Sequence, residues 1–230
     1  MGAALGWGAI AASSLVIGAL LGVVRSWPAE PIGLVLAFGA GALISAVSFD
    51  LAQEGAQIGS PGTMATGLGL GAITYFALDR ALEKGTGGAG VGLALGAFLD
   101  GIPEQLVLGI GLAVEDGVGV GLLAAIFVSN LPEAIGSATD SRAAGRGRRQ
   151  IVRLWVAVAI ICTLATVAGY GLADSVSDDV KAAIDGFAAG ALLVMLIDSM
   201  IPEAARKGGR VAGLVTVLGF AVAAGLSGIG

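Results

Sequence analysis

The sequence predicts an all-α, polytopic membrane protein in which residues 1–230 form a single domain of eight transmembrane helices. Three observations lead to this fold class. The composition, 56% hydrophobic and 13% charged with a mean hydropathy of +0.93, is too apolar for a domain whose surface faces water. Runs of about 20 apolar residues, each able to cross about 30 Å of hydrocarbon as a helix, recur along the chain. Basic residues are confined almost entirely to every second loop, as in a chain that crosses a membrane repeatedly.

The first predicted span belongs to the structure and not to a cleaved signal. No basic residue precedes it and Arg25 follows it, which is the reverse of a secretory signal. Spans 1–3 occupy about residues 3–82, the central spans 4 and 5 about 91–138, and spans 6–8 about 151–229. In order, the spans are Ala3–Val24, Ile32–Leu51, Met64–Leu82, Val91–Val114, Val118–Ala138, Ile151–Ala173, Val180–Ile201 and Val211–Ile229.

The distribution of basic residues predicts the orientation of the chain. Every Lys and Arg except Lys181 lies in or beside the loops that follow spans 1, 3, 5 and 7. Because basic residues in short loops stay on the cytoplasmic side, we predict a multi-pass protein of the inner (plasma) membrane with both termini outside. The lipid bilayer is then its first partner. Nothing in the sequence indicates a nucleic-acid partner, and a homodimer is left open.

Two stretches of the chain resemble each other at a constant offset of 149 residues. Phe38–Ser45 in span 2 matches Phe187–Val194 in span 7, and the same alignment places Glu54 on Glu203. One span is even-numbered and the other odd-numbered, so they cross in opposite directions, as in an inverted repeat. This predicts a 3+2+3 arrangement, with spans 1–3 repeated as spans 6–8 around the central pair. The alternative is a chance match of small apolar residues in a biased composition.

An apolar residue followed by Pro-Glu occurs three times, although the chain has only six prolines. Two of these motifs, Ile102-Pro103-Glu104 and Leu131-Pro132-Glu133, lie in the central spans, and the third is Ile201-Pro202-Glu203 in span 7. A proline inside a helix displaces the carbonyl four residues earlier and bends the helix. Each motif therefore brings a free carbonyl oxygen and a carboxylate close together, and both are groups that bind cations.

The central spans hold the predicted binding site. Asp100 lies near the middle of span 4 and Glu104 lies one turn further along the same face. Each isolated charge there costs about 2.5–3.5 kcal/mol, and no Lys or Arg is predicted at that depth, so protons or metal ions must neutralise the carboxylates. Span 5 adds Ser129, Asn130 and Glu133. Together these oxygen ligands predict a cage for a divalent metal ion, carried as substrate, with no organic cofactor.

Further acidic residues are candidates for the pathway that leads to and from this cage. Glu54 and Glu203 lie near the ends of spans 2 and 7. For these two residues, the alternative to a pathway role is a solvated carboxylate at the membrane interface. The predicted pathway residues are Asp50, Glu54, Asp140, Asp198 and Glu203.

These motifs resemble the Zrt/Irt-like protein (ZIP) family of divalent cation transporters, and the resemblance extends over essentially all eight spans. Span 4 of the family usually reads His-Asn-x-Pro-Glu-Gly, where this chain has Asp100-Gly101-Ile102-Pro103-Glu104-Gln105. Span 5 of the family has a second Pro-Glu, matched by Ser129-Asn130-Leu131-Pro132-Glu133, and span 7 is similar over Ala189–Ala204. The resemblance implies eight spans, outside termini, a 3+2+3 arrangement and a metal site on spans 4 and 5.

The chain departs from the family by having no histidine. Asp100 stands where the family has histidine, so the site has only oxygen ligands, which suit Mn²⁺, Mg²⁺ or Fe²⁺ and are also accepted by Zn²⁺. The transported ion is therefore predicted only as a divalent cation of the Zn, Fe, Mn or Cd group. Some family members hold a second metal through an acidic residue on span 6. No such residue lies near Cys162, so a two-metal site is not expected.

The leading functional hypothesis is metal transport by alternating access of the central helices and the repeats around the bound ion. The alternative is a relative of this fold that has lost metal binding and moves another solute or protons. An intramembrane aspartyl protease also needs paired acids, but its Gly-x-Gly-Asp signature is missing. The protein is therefore not predicted to be an enzyme.

Overall fold

The computed structural model describes residues 1–85, 89–114, 120–173 and 177–227, with the side chains of residues 82–100, 114–120 and 227 outside the description. All the regular secondary structure in these residues is helical. The helices are α1 (Gly2–Val24), α2 (Ala29–Ala46), α3 (Glu54–Ile58), α4 (Pro61–Gly85), α5 (Ala89–Val114), α6 (Val120–Ala143), α7 (Arg148–Ala173), α8 (Asp178–Met195), α9 (Ile201–Gly208) and α10 (Ala212–Ser227).

Two of the helices continue through a π-helical turn. Val47–Gln53 joins α2 to α3, and Leu196–Met200 joins α8 to α9. A π-helical turn inserts one residue into the hydrogen-bonding pattern without ending the helix, and such turns are frequent at functional sites. The predicted spans 2 and 7 therefore lie on longer helices than the apolar pattern indicated, because the backbone stays hydrogen-bonded beyond the last apolar residue.

Five stretches of the described chain are long and apolar enough to cross a membrane: Gly2–Val24, Ala29–Ile58, Gly121–Ala143, Arg148–Ala173 and Asp178–Leu226. This confirms a multi-pass, all-helical membrane protein, while the number of eight spans stays a prediction. The last stretch, 49 residues long, is not one straight helix. As a straight helix it would be more than twice as long as the hydrocarbon core is thick, about 30 Å. The chain turns instead at Gly209, whose positive φ of 63° suits a residue without a side chain.

Contacts between helix ends show which ends share one side of the bundle. At one side, Arg142 donates a hydrogen bond to the carbonyl of Val23, so α6 and α1 end together. On that side, too, the start of α2 at Gly33 lies against the end of α9 at Gly208. The basic residues at these helix ends are Arg25, Arg142, Arg206 and Lys207. Which side faces the cytoplasm stays a prediction.

At the opposite side, an aspartate at the start of α8 holds the turn between α3 and α4. Asp179 accepts a hydrogen bond from the backbone N–H of Ser60 at 2.9 Å and another from the Thr63 hydroxyl at 3.2 Å. A carboxylate that accepts from a backbone donor next to a helix start stabilises that start. The α3–α4 turn and the start of α8 therefore form one end of the bundle.

We expect Asp179→Ala to lower the melting temperature of the detergent-solubilised protein by a few degrees, because two hydrogen bonds to the turn are lost. Asp178→Ala is the matched control. Asp178 is exposed on the same turn of α8 and pairs only with Lys181, at 3.3 Å, among the contacts described. Equal melting temperatures for both variants would contradict the role given to Asp179.

The helices pack in pairs that share closely spaced backbones. In the described chain α4 packs on α8, α2 on α10, α5 on α7, and α1 on α6 and α7. Glycines make these contacts. A Cβ atom on Gly71 would lie 1.9 Å from the carbonyl oxygen of Phe187, and one on Gly219 would lie 2.0 Å from that of Phe38. Small residues let membrane helices approach this closely where lipid supplies no hydrophobic drive.

Candidate metal site

Helices α5 and α6 carry the two central Pro-Glu motifs, and they are packed against each other. Pro103 lies inside α5 and Pro132 lies inside α6. Each helix continues past its proline, as the sequence predicted. The contact between α5 and α6 brings Glu104, directly after Pro103, next to Asn130, two residues before Pro132.

A hydrogen bond across this pair joins two predicted ligands. The side-chain amide of Asn130 donates a hydrogen bond to Oε2 of Glu104 at 3.2 Å, and the two residues are only 2% and 1% exposed. The hydrogen bond satisfies one carboxylate oxygen while the position stays closed to lipid. Because the amide is neutral, this hydrogen bond does not itself offset the charge of an ionised carboxylate.

The other predicted ligands differ in how they relate to this pair. Glu133 is half-buried on α6, one turn beyond Asn130. Ser129 is buried, but its hydroxyl donates to the carbonyl of Ile126 at 3.1 Å and so is committed to its own helix. The backbone of Asp100 lies in α5, one turn before Glu104, and its side chain lies outside the described residues. Among the described side chains, no group of three or more His, Cys, Asp or Glu residues is close enough to hold a metal ion.

Helix α7 completes the surroundings of the two glutamates. A Cβ atom on Gly101 would lie 2.7 Å from Sγ of Cys162, so the thiol rests against α5 one turn before Glu104. Cys162 is fully buried and lies within electrostatic range of both Glu104 and Glu133. The sequence assigned this cysteine to packing. The structure brings it beside the predicted site because α7 packs along α5.

A polar face runs along α6 from the site toward the basic end of the bundle. Asn130, Glu133, Ser137 and Ser141 recur at intervals of three and four residues, which places them on one helix face. Ser137 and Ser141 are buried, and the Ser137 hydroxyl has no hydrogen-bond partner among the described residues. A buried hydroxyl in that position is available to a passing ion or water.

The predicted pathway residues are spread over both ends of the molecule. Asp50 and Asp198 lie in the two π-helical turns, where Asp50 is half-buried and Asp198 exposed. Asp140 is exposed at the end of α6, and Glu54 is half-buried at the start of α3. The structure therefore does not gather these residues around the central site.

Glu203 has a basic partner that the sequence argument did not foresee. Lys207 donates a hydrogen bond to Oε1 of Glu203 and forms an ion pair with it. The Lys207 ammonium also approaches α6, where it would lie 3.6 Å from a Cβ atom on Gly136. Gly136 follows Glu133 by one turn of that helix. A long lysine side chain extends well away from its own helix position, so this ammonium reaches toward α6. The absence of basic residues at the depth of Asp100 and Glu104 stays a prediction.

One buried polar pair was missed in the sequence. Gln105 is fully buried and accepts a hydrogen bond from the Thr166 hydroxyl at 2.5 Å, which joins α5 to α7. Its amide nitrogen has no partner among the described residues. The signal available in the sequence was its position directly after Pro103-Glu104, on the neighbouring face of α5.

Comparison with known protein families gives a match over more than half of the chain. The family model described as "ZIP Zinc transporter" matches residues 81–227, which span the end of α4 and all of α5–α10. The matched region includes both central Pro-Glu helices and the predicted ligands on them. No curated protein matches the chain.

Proposed function

The chain belongs to the ZIP zinc transporter family, and we propose that it moves a divalent metal cation through a site formed by α5 and α6. Family membership makes the protein a transporter of divalent metals in a membrane, and not an enzyme. The proposal concerns the location of the site, its ligands and the way the ion moves. The observation that carries it is the buried Glu104 carboxylate, held by Asn130 across the α5–α6 contact.

We assign Glu104 and Glu133 as the main ligands, with Asp100 and Asn130 completing the site. Two carboxylates attract a divalent cation more strongly than a monovalent one, and a closed, poorly hydrated position strengthens that attraction. Ser129 is a weaker candidate because its hydroxyl already donates to Ile126. An oxygen-rich set of this kind accepts Zn²⁺, Fe²⁺ and Mn²⁺.

From this site the ion leaves along the polar face of α6. Ser137 and Ser141 follow Glu133 on that face, and they lead to the end of the bundle that bears the basic residues. On the orientation predicted from the basic loops, with both termini outside, this end faces the cytoplasm. The direction is then uptake into the cell.

We also propose the 3+2+3 inverted repeat and alternating access between its parts. The two π-helical turns begin at Val47 and Leu196, which are separated by the offset found in the sequence. The same offset relates Phe38 and Phe187, whose carbonyls face Gly219 and Gly71. Matching contacts at matching positions support two copies of one unit, and inverted units allow one site to open to either side in turn.

The experiment that tests this function measures Zn²⁺ uptake into proteoliposomes that contain the purified protein. We expect the Glu104→Ala, Glu133→Ala double variant to lose uptake, since both main ligands are gone. Glu30→Gln, which changes an exposed acid at the start of α2 that has no assigned role, is the control for protein quality. Uptake that persists in the double variant would rule out the proposed site.

A binding measurement distinguishes metal transport from the alternative, a family relative that moves protons or another solute. Titration of the purified protein with Zn²⁺, Mn²⁺, Fe²⁺ and Cd²⁺ reports whether any of these ions binds. We expect saturable binding of at least one of them, and its absence for all four favours the alternative.

A further inference from the structure

The structure buries one aspartate that none of the motifs drew attention to. Asp185 lies two turns into α8 and is only 5% exposed. Within the described residues, no group donates a hydrogen bond to its carboxylate, and no Lys or Arg pairs with it. An unpaired carboxylate in such a place is costly to keep charged unless a positive ion joins it.

A second carboxylate and a sulfur atom lie beside Asp185. A Cβ atom on Gly55 would be 3.2 Å from the Asp185 Cβ, 3.5 Å from its Oδ2 and 3.1 Å from the Met64 sulfur. The carboxylate of Asp185 is therefore aimed at the start of α3, where Glu54 precedes Gly55. Glu54 is half-buried and lies within electrostatic range of Asp185. Three helices thus bring two carboxylates and a thioether to one place.

Two charged residues near Asp185 on α8 are engaged with other groups. Lys181 lies one turn before Asp185 on α8, but its ammonium pairs with Asp178 at 3.3 Å. Asp179 is directed to Ser60 and Thr63 at the α3–α4 turn. The cluster lies at the same end of the bundle as that turn, which is the end opposite Arg142 and Gly208. On the predicted orientation, this is the side from which an ion enters.

We propose that Asp185, Glu54 and Met64 form a second divalent-cation site, separate from the one on α5 and α6. Two carboxylates supply charge, and the thioether makes the site prefer borderline or soft ions such as Zn²⁺ and Cd²⁺ over Mg²⁺. The site captures the ion at the end of the bundle before it reaches the central helices. It depends on none of the residues assigned to the central site, so each proposal can fail without the other.

The test measures Cd²⁺ binding to the purified full-length protein by equilibrium dialysis, with the central site removed by Glu104→Gln and Glu133→Gln. We expect this background to retain one Cd²⁺ per chain. Adding Asp185→Asn should weaken the remaining binding at least tenfold, and adding Glu54→Gln should weaken it by about tenfold. Glu30→Gln, which changes an exposed acid at the start of α2, should leave the binding unchanged.

Two results would overturn the second site. One is a background that binds no Cd²⁺, and the other is residual binding that neither Asp185→Asn nor Glu54→Gln weakens. Having both substitutions keeps the test decisive if one variant folds poorly, which its melting temperature reports. For Met64, we expect Met64→Leu to weaken Cd²⁺ binding about tenfold while Mn²⁺ binding stays the same. Equal effects on both ions would remove Met64 from the site.

Discussion

Replacing Glu104 with glutamine is expected to reduce Zn²⁺ uptake by about 100-fold without lowering the melting temperature of the protein. Glutamine has the shape of glutamate and keeps an oxygen that accepts the hydrogen bond from Asn130. It lacks the charge that attracts the ion. In a closed, apolar place the loss of that charge also removes a cost of folding, so stability is expected to stay equal or rise.

Zn²⁺ uptake and the melting temperature of Glu104→Gln must be measured together. A variant that loses uptake because it is misfolded would also melt at a lower temperature, whereas a lost ligand leaves melting unchanged. Glu30→Gln removes a charge from an exposed position at the start of α2 and is expected to retain most of the uptake. Normal uptake by Glu104→Gln would show that the buried carboxylate does not bind the transported ion.

Replacing Gly71 with alanine is expected to destabilise the bundle strongly. The new methyl group would lie 1.9 Å from the carbonyl oxygen of Phe187, so α4 and α8 would have to move apart. Overpacking costs about 1–3 kcal/mol, and a clash with a backbone oxygen belongs to the upper part of that range, above the gain of about 1 kcal/mol from placing alanine in a helix. We expect a lower melting temperature and a smaller yield of monodisperse protein after solubilisation.

Gly69→Ala is the matched control for this substitution. It lies on the same helix two residues earlier, and a Cβ atom there would meet nothing within 4 Å. The melting temperature of Gly69→Ala should equal or slightly exceed that of the parent protein. Size-exclusion chromatography after heating measures it for both proteins. If both variants melt alike, the close approach of α4 and α8 at Gly71 does not limit stability.

The sequence was sufficient for the parts of the fold that depend on short stretches of chain. Length and hydropathy decide whether a segment can cross hydrocarbon, and both are properties of about 20 consecutive residues. The helices over the predicted spans and the prolines inside α5 and α6 were therefore predicted correctly. The π-helical turns were not, because the apolar pattern alone carries no clear sign of one inserted residue.

Part of the candidate site could also be predicted from the sequence. Spacing alone put Asn130 and Glu133 on one face of a helix, and the two Pro-Glu motifs indicated that their helices belong together. The hydrogen bond between Asn130 and Glu104 agrees with that prediction. The sequence could not predict the direction of the Ser129 hydroxyl, because a serine in a helix can donate to its own backbone as readily as to a neighbouring helix.

What the sequence by itself determined is the all-helical membrane class, the alternation of basic loops and the presence of acids in apolar spans without basic residues beside them in the chain. Only the tertiary structure decided that Cys162 lies against Gly101, that Lys207 reaches toward α6, and that Asp185 faces Gly55. The reason is that hydropathy acts along one helix, whereas these contacts depend on how each helix is rotated against its neighbours. That rotation is set by close packing at small residues, which recur too often in this chain to single out one partner.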